Sequence, residues 1–250
     1  HRDLHSFPTR RSSDLVFSMI EYAQSRNVGT NLSSNLSATT SSDLDNLLDS
    51  GLEYLVVSLD GTSAESYSKY RVKGDYEQVV ENMSELIRRR NKRGSRKPMV
   101  EWQFIVMKQN EHEIATAERM AKKIGVDLLR FIPVGMPYDT LDRKAVAAEW
   151  FPVTVEGRAH APEDVEQQFG QANKPSPCFY LYRSMVVNPD GGVTPCCVVY
   201  KEESDFAQLP VQDIHALWNN DHYLSGRSLF SPQNAPLPNN TECRCRSFGA

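Results

Sequence analysis

The chain opens with alternating helical and extended patterns. Val16 to Arg26 places Met19, Ile20, Tyr22 and Ala23 at the spacing of an amphipathic helix, and Val28 to Ser33 is short and extended. A second helix is predicted from Thr40, where Thr40-Ser-Ser-Asp43 forms a capping box, to Gly51 at C′. Tyr54 to Asp60 is a run of strand formers closed by Gly61. Thr62-Ser-Ala-Glu65 reads as another capping box, and Asp75 with Gln78 starts a longer helix carrying Val79, Val80, Met83, Leu86 and Ile87. Met99 to Met107 is the next strand. Asn110 with Glu113 is expected to cap a helix ending at Gly125, and Leu128 to Val134 is a further strand.

Strands and helices that alternate in this way predict an α/β fold, a parallel sheet with crossover helices and the beginnings of a (β/α) barrel. Residues 16–134 form that partial barrel. The pattern weakens over 135–177, where Pro137, Pro152, Pro162, Pro175 and Pro177 suggest a connector. The last unit, 178–250, holds a hairpin signal from Met185 to Thr194 and a short helix around Ile214 to Trp218.

Successive residues on a strand face opposite ways, so the polar positions can be sorted. Leu55, Val57 and Leu59, then Val100, Trp102, Phe104 and Val106, then Leu129 and Phe131, make a face that meets the helices. Asn31 and Ser33, Ser58 and Asp60, Glu101 and Gln103, and Arg130 are left on the other face, toward a barrel lumen. Charged groups there need partners. They either pair with one another, as Glu or Asp with Arg, or hold a polar ligand at the C-terminal ends of the strands, where Ser58 and Asp60 are best placed.

Composition removes several classes. The 250 residues carry 28 Lys and Arg against 32 Asp and Glu, with 40% hydrophobic positions, as in an ordinary globular protein. The balance argues against binding nucleic acid through overall charge. The basic run Arg88 to Lys97 reads as a solvated helix end, not a phosphate patch. No apolar run approaches the ~18 residues that suggest a membrane span. Residues 1–15, HRDLHSFPTRRSSDL, resemble the translation of a common sequencing-library adapter and are set aside as non-native. That removes three Arg and two Asp and leaves 25 basic and 30 acidic residues, net −5. A frame running from adapter into protein at Val16 implies that the native N-terminus is missing and that 1–15 have no place in the core.

All five cysteines, Cys178, Cys196, Cys197, Cys243 and Cys245, lie in the last third. Such clustering favours a metal or iron–sulfur site over core packing or a disulfide scaffold. On chemistry alone, four thiolates suit a structural zinc about as well as an iron–sulfur cluster. Cys196 and Cys197, as neighbours on a strand, would point apart, so a single site takes one of the two.

Val57-Ser-Leu-Asp-Gly61, followed by Tyr67-Ser-Lys-Tyr-Arg71 and Gly74-Asp75, resembles the middle of the radical S-adenosylmethionine (SAM) enzymes. Residues 178–250 resemble their SPASM or shortened twitch extension. Cys178, twelve residues, Gly191, four residues and Cys196 fit its C-x(9–15)-G-x(4)-C pattern, and Trp218-Asn-Asn-Asp-His-Tyr with Gly226-Arg227 strengthen the match. The resemblance implies an auxiliary [4Fe–4S] cluster on Cys178, Cys196, Cys243 and Cys245, although Cys243-Arg-Cys245 departs from the usual two-residue spacing. It also implies SAM contacts at Ser58 and Arg71, with Asp60 and Asn31 as further candidates. Glu101, Gln103 and Arg130, by strand parity, face substrate or adenosine.

The family's C-x(3)-C-x(2)-C motif, which ligates the catalytic [4Fe–4S] cluster, and its glycine-rich SAM segment do not occur in this sequence. Truncation before Val16 accounts for both, and the chain is expected to be inactive alone. The resemblance implies that the intact enzyme cleaves SAM reductively to a 5′-deoxyadenosyl radical. That radical takes hydrogen from a peptide, protein or carbohydrate-type substrate, with electrons from a reductant such as flavodoxin or ferredoxin. A cytoplasmic location follows from the redox sensitivity of such clusters. The alternatives are a non-catalytic iron–sulfur or zinc-binding electron-transfer or structural module, and an unrelated lyase or aldolase. The aldolase reading is weak because Lys108 has the outward parity.

Overall fold

The computed structural model describes residues 11–135, 142–154, 157, 178–197, 202–211 and 213–230. The chain divides into two compact units, with the division at Glu163 and Asp164.

The first unit is built on four parallel strands in sequential order, β1 (Asn31–Ser34), β2 (Tyr54–Ser58), β3 (Met99–Val106) and β4 (Leu128–Pro133). Helix α1 (Arg11–Ser25) precedes β1; α2 (Ser41–Asp49), the pair α3 (Ala64–Tyr70) and α4 (Tyr76–Lys92), and α5 (Ile114–Ile124) form the crossovers. Parallel strands need such crossovers, and sequential order is the beginning of a (β/α) barrel. The core follows the parity of the sequence: Leu55, Val57, Leu59, Val100, Trp102, Phe104 and Val106 are wholly buried against the helices, with Leu129 and Phe131 packed at the edge.

Local chemistry sets the helix ends. Thr40 accepts from Asp43 N at 3.3 Å while the Asp43 carboxylate takes Thr40 N at 2.9 Å, a complete capping box. Asp75 accepts from Gln78 N at 3.0 Å and starts α4. Gly125 ends α5 at φ 83°, a left-handed position that favours glycine. Two expected caps are corrected. Ser63, not Thr62, caps α3 through Ser66 N, because Thr62 N donates to Glu113 Oε2 at 2.9 Å. Asn110 makes no capping bond; a 3-10 turn, Glu111–Glu113, leads into α5 and the Asn110 side chain serves the end of β3 instead. The first strand also begins later than expected, at Asn31.

The basic run is not simply a solvated end. Arg89 bonds Ser41 O and Asp45 of α2, Arg93 bonds Asp45 and Asp49, and buried Arg90 reaches Pro98 O at 2.9 Å and the Asp127 carboxylate. Arg88 and Arg89 hold the Glu85 carboxyl down to about 2. These pairs tie α4 to α2 and to the start of β4.

Residues 143–154, which the sequence assigns to the connector, belong to the first unit. Helix α6 (Arg143–Trp150) returns Trp150 O to Lys108 N at 2.9 Å and sets the Trp150 ring edge-on to Tyr70, and Glu111 Oε2 accepts from Val153 N and Thr154 N. At the other end, α1 begins at Arg11, so the adapter-like segment enters a helix, with Leu15 63% exposed. Residues 1–10 lie outside the described residues.

The second unit holds a three-stranded antiparallel sheet, β5 (Val186–Val187), β6 (Gly192–Thr194) and β7 (Ala207–Gln208). Among the described residues three short α-helices accompany it, Tyr180–Arg183, Ile214–Trp218 and Asp221–Ser228; the last is not evident from the sequence pattern. Gly191 turns the expected hairpin at φ 87°, and Asn188 N donates to Gly192 O at 2.8 Å. Among the described residues, no helix is long and apolar enough to cross a membrane.

A close approach makes Gly61 obligatory. A Cβ there would lie 2.5 Å from Ser66 Oγ and 2.7 Å from Tyr67 N, and the backbone nitrogen cannot yield. Gly61→Ala is expected to destabilise the first unit by about 1–3 kcal/mol through overpacking at the start of α3. Urea denaturation checks this; a loss below about 0.5 kcal/mol would show that α3 shifts freely.

Candidate functional site

The C-terminal edge of the sheet is assembled around the turn after β2. Asp60 is wholly buried and its carboxylate is fully employed. Oδ1 accepts from Ile105 N at 2.8 Å and Oδ2 from Arg71 Nε at 2.7 Å, while the Asp60 carbonyl accepts from Asn110 Nδ2 at 3.1 Å. Burial pushes the Asp60 carboxyl up, against the opposing pull of the Arg71 guanidinium and the Ile105 amide. Trp102 Nε1 donates to Leu59 O at 2.7 Å and fixes the same turn from the helix side. Asp60 is thus an anchor within the sheet, each of its carboxylate oxygens already accepting one hydrogen bond.

Arg71 is what the anchor holds. It follows α3, its side chain is 30% exposed and lies over the Tyr70 ring at 5.1 Å, and only Nε is bonded to Asp60. Its two Nη groups have no hydrogen-bond partner among the described residues. A guanidinium fixed at Nε presents a planar pair of donors suited to a carboxylate or a diol.

Ser58 ends β2 half-buried and stands in register with Gln103, which in turn pairs with Arg130. This row crosses the face opposite the helices, as strand parity predicts. One pleat toward the strand N-termini lies Glu101, buried to 2% exposure, with Arg130 Nη2 at 3.1 Å and the Tyr54 hydroxyl donating to the same oxygen. The bond to Glu101 is the main reason the Tyr54 phenol is pushed up. Arg130 remains 55% exposed. The pairing of Glu with Arg that parity allowed is therefore realised, and Gln103 makes no side-chain hydrogen bond among the described residues.

Asn31 is not brought to this edge. It begins β1 in register with Tyr54, four residues before Ser58, a displacement of about 13 Å along the strands. Sequence reasoning missed Tyr54 and Asn110. Tyr54 shares parity with Val56 and Ser58, a usable signal; Asn110 had none, since its partners come from two strand ends.

In the second unit Cys178 is half-buried, Cys196 buried and Cys197 exposed, so the two adjacent thiols point apart. Cys178 packs on a small core of Leu181, Val193, Phe206, Leu217 and Tyr223. Thr194 Oγ1 donates to Cys196 O at 3.2 Å and Ser184 Oγ to Pro195 O at 2.7 Å, which secures the strand end that carries Cys196. Arg227 donates to Leu181 O, Trp218 O and Asn219 Oδ1, with its guanidinium 5.1 Å from the Trp218 ring, 5.3 Å from Tyr223 and 5.6 Å from Tyr182. Trp218 and Arg227 thus close the unit. Cys243 and Cys245 lie outside the described residues, and among the described residues no three acidic, His or Cys side chains converge on a metal site. The donor chemistry fits a thiolate-bound cluster: Cys178 and Cys196 are withdrawn from solvent, and Cys197 is exposed.

Residues 178–246 match the model of the SPASM iron-sulfur cluster-binding domain. The chain is similar to the crystal structure of Streptococcus suis SuiB bound to S-adenosylmethionine, with a TM-score of 0.54, 12% identity and coverage of 84% of this chain and 52% of that one. SuiB bound to its precursor peptide SuiA gives 0.51, 11%, 82% and 51%. Native anSMEcpe with bound AdoMet and Kp18Cys peptide gives 0.58, 13%, 87% and 66%. The chain therefore spans about half the length of SuiB and about two thirds of that of anSMEcpe. No curated protein sequence matches it. An iron–sulfur cluster-binding SPASM domain at the C-terminus, joined to a unit of parallel α/β architecture, gives this chain the fold of SuiB and anSMEcpe.

Proposed function

We propose that the chain is part of a radical SAM enzyme that carries an auxiliary [4Fe–4S] cluster on Cys178, Cys196, Cys243 and Cys245 and acts on a peptide, protein or carbohydrate-type substrate. The observation that carries the reading is the SPASM match over 178–246, with Cys178 packed on the core of the second unit, Cys196 buried and Cys197 exposed. SuiB bound to S-adenosylmethionine or to its precursor peptide, and anSMEcpe bound to AdoMet and a peptide, favour a peptide within that substrate class. The cofactors, when bound, supply reductive SAM cleavage to a 5′-deoxyadenosyl radical that abstracts a substrate hydrogen, with electrons from flavodoxin or ferredoxin.

The chain's own residues bind and orient. Arg71, fixed by Asp60, offers its Nη pair to the SAM carboxylate or ribose, and Ser58 adds a hydroxyl at the same edge. Asp60 acts through Arg71, not on the cofactor. Gln103 and Arg130 line the adjoining polar row, where a polar substrate or adenosine lies; Glu101 keeps Arg130 in place. Asn31, at the far end of β1, is the weakest of the cofactor candidates. Reduced thiolates and a labile cluster suit the cytoplasm.

Anaerobic reconstitution of the chain with iron and sulfide tests the reading. About one [4Fe–4S] cluster per chain is expected, by iron count and absorbance, and no SAM cleavage, because the sequence holds no C-x(3)-C-x(2)-C motif for a catalytic cluster. Tetrahedral zinc with no stable cluster would favour the structural-module reading, and SAM turnover by the chain would refute its dependence on the missing motif.

A further inference from the structure

Tyr223 is wholly buried in the core of the second unit, and its hydroxyl has no hydrogen-bond partner among the described residues. Buried hydroxyls are as a rule bonded, so an orphan marks a place where a partner group belongs. The ring cannot swing the hydroxyl elsewhere. It is held edge-on to Phe206 at 4.9 Å, tilted against Trp218 at 4.9 Å and under the Arg227 guanidinium at 5.3 Å, with Tyr223 N bonded to Asn220 Oδ1 at 3.0 Å.

The groups packed around the ring do not supply the missing acceptor. A guanidinium has only donors, and Phe206 and Trp218 offer none. Cys178 packs on this core, and Cys196, itself buried, lies near enough to Tyr223 for its charge to act on the phenol. A phenol titrates at ~10, so the hydroxyl keeps its proton and is a donor at neutral pH. Thiolate and sulfide sulfurs are acceptors that an iron–sulfur cluster would bring to the place.

We propose that Tyr223 donates a hydrogen bond to the sulfur shell of the auxiliary cluster on its Cys196 side and raises the cluster's reduction potential. The inference rests on the cluster assignment above and adds to it a residue that sets the potential. A donor to cluster sulfur stabilises the reduced form, which carries more negative charge, and such bonds are among the determinants of cluster potential. Tyr223 is a positioning and tuning residue; it ligates nothing.

The test is a redox titration of the reconstituted full-length chain, followed by EPR of the reduced cluster, for wild type and Tyr223→Phe. Phe keeps the ring and removes only the hydroxyl. The variant is expected to bind the same iron, but with the reduced-to-oxidised ratio at a fixed potential lowered roughly tenfold, a shift of about 59 mV to more negative potential for one electron. An unchanged midpoint with full iron loading overturns the proposal and leaves the cluster assignment standing. A wild-type chain that takes up no cluster overturns the assignment itself. If Tyr223→Phe fails to load iron, difluorotyrosine placed at position 223 keeps the shape and strengthens the donor; the midpoint must then rise, and an unchanged value overturns the proposal.

Discussion

Cys196→Ala is expected to abolish iron–sulfur loading of the chain, whereas Cys197→Ala is expected to leave it intact. The two residues are neighbours in sequence, but Cys196 is buried and Cys197 is exposed. Iron is expected to fall from about four per chain to near zero in the first variant and to stay at about four in the second, since a [4Fe–4S] cluster usually takes four thiolates. Cys178→Ala, Cys243→Ala and Cys245→Ala should follow Cys196→Ala. Anaerobic reconstitution with iron and sulfide analysis reads each case. Loss of loading in Cys197→Ala with retention in Cys196→Ala would reverse the assignment.

The same variant is expected to weaken folding of the second unit. Its core among the described residues is five buried hydrophobics, Leu181, Val193, Phe206, Leu217 and Tyr223, which is little for a unit of this size. Ligand binding to the native state alone adds its binding free energy to folding, as in other small thiolate-ligated domains. Hydrogen exchange at Val193 and Phe206, which pair across β6, should therefore quicken in Cys196→Ala and in the wild-type chain stripped of iron, and by similar factors.

Asp60→Ala is expected to destabilise the first unit by about 3–5 kcal/mol, the range for breaking one side of a buried ion pair. That is a large part of the ~5–15 kcal/mol that holds a domain together. The substitution removes the acceptor of Ile105 N and the counter-charge of Arg71 at once. The Ile105 amide, within the sheet, is left with no acceptor, and Arg71 loses the bond that orients its Nη pair. Asp60→Asn is expected to fall between, because its amide oxygen can still serve Ile105 while its NH2 faces the donor Nε of Arg71. Urea denaturation, with hydrogen exchange of the β2 and β3 amides, measures both. A cost under about 1 kcal/mol for Asp60→Ala would show that Ile105 and Arg71 find other partners.

Polar residues on a strand are sorted by parity, yet parity does not say what they do. Ser58, Asp60, Glu101, Gln103 and Arg130 share one face by simple alternation, and Ser58, Gln103 and Arg130 do form one row across the sheet. Asp60 leaves that row to serve Ile105 N, 45 residues away, and so becomes an anchor for Arg71. The Arg88–Arg93 run illustrates the same limit. A helix end rich in cations is favourable by itself, but Arg90 is buried because Asp127 and Pro98 O lie opposite it.

What the sequence by itself determined are properties read within a few residues. They include the caps at Thr40 and Asp75, the left-handed positions at Gly125 and Gly191, and the two faces of β2 and β3. Backbone dihedrals and the two-residue period of a strand fix these locally. Only the tertiary structure decided that Asn110 serves strand ends instead of a helix, that Tyr54 and Arg130 share Glu101, and that Tyr223 is buried with its hydroxyl unpaired. Hydrogen bonds and ion pairs must be satisfied by whichever group packing brings opposite, and that group is set by the crossovers and strand register, not by neighbours along the chain.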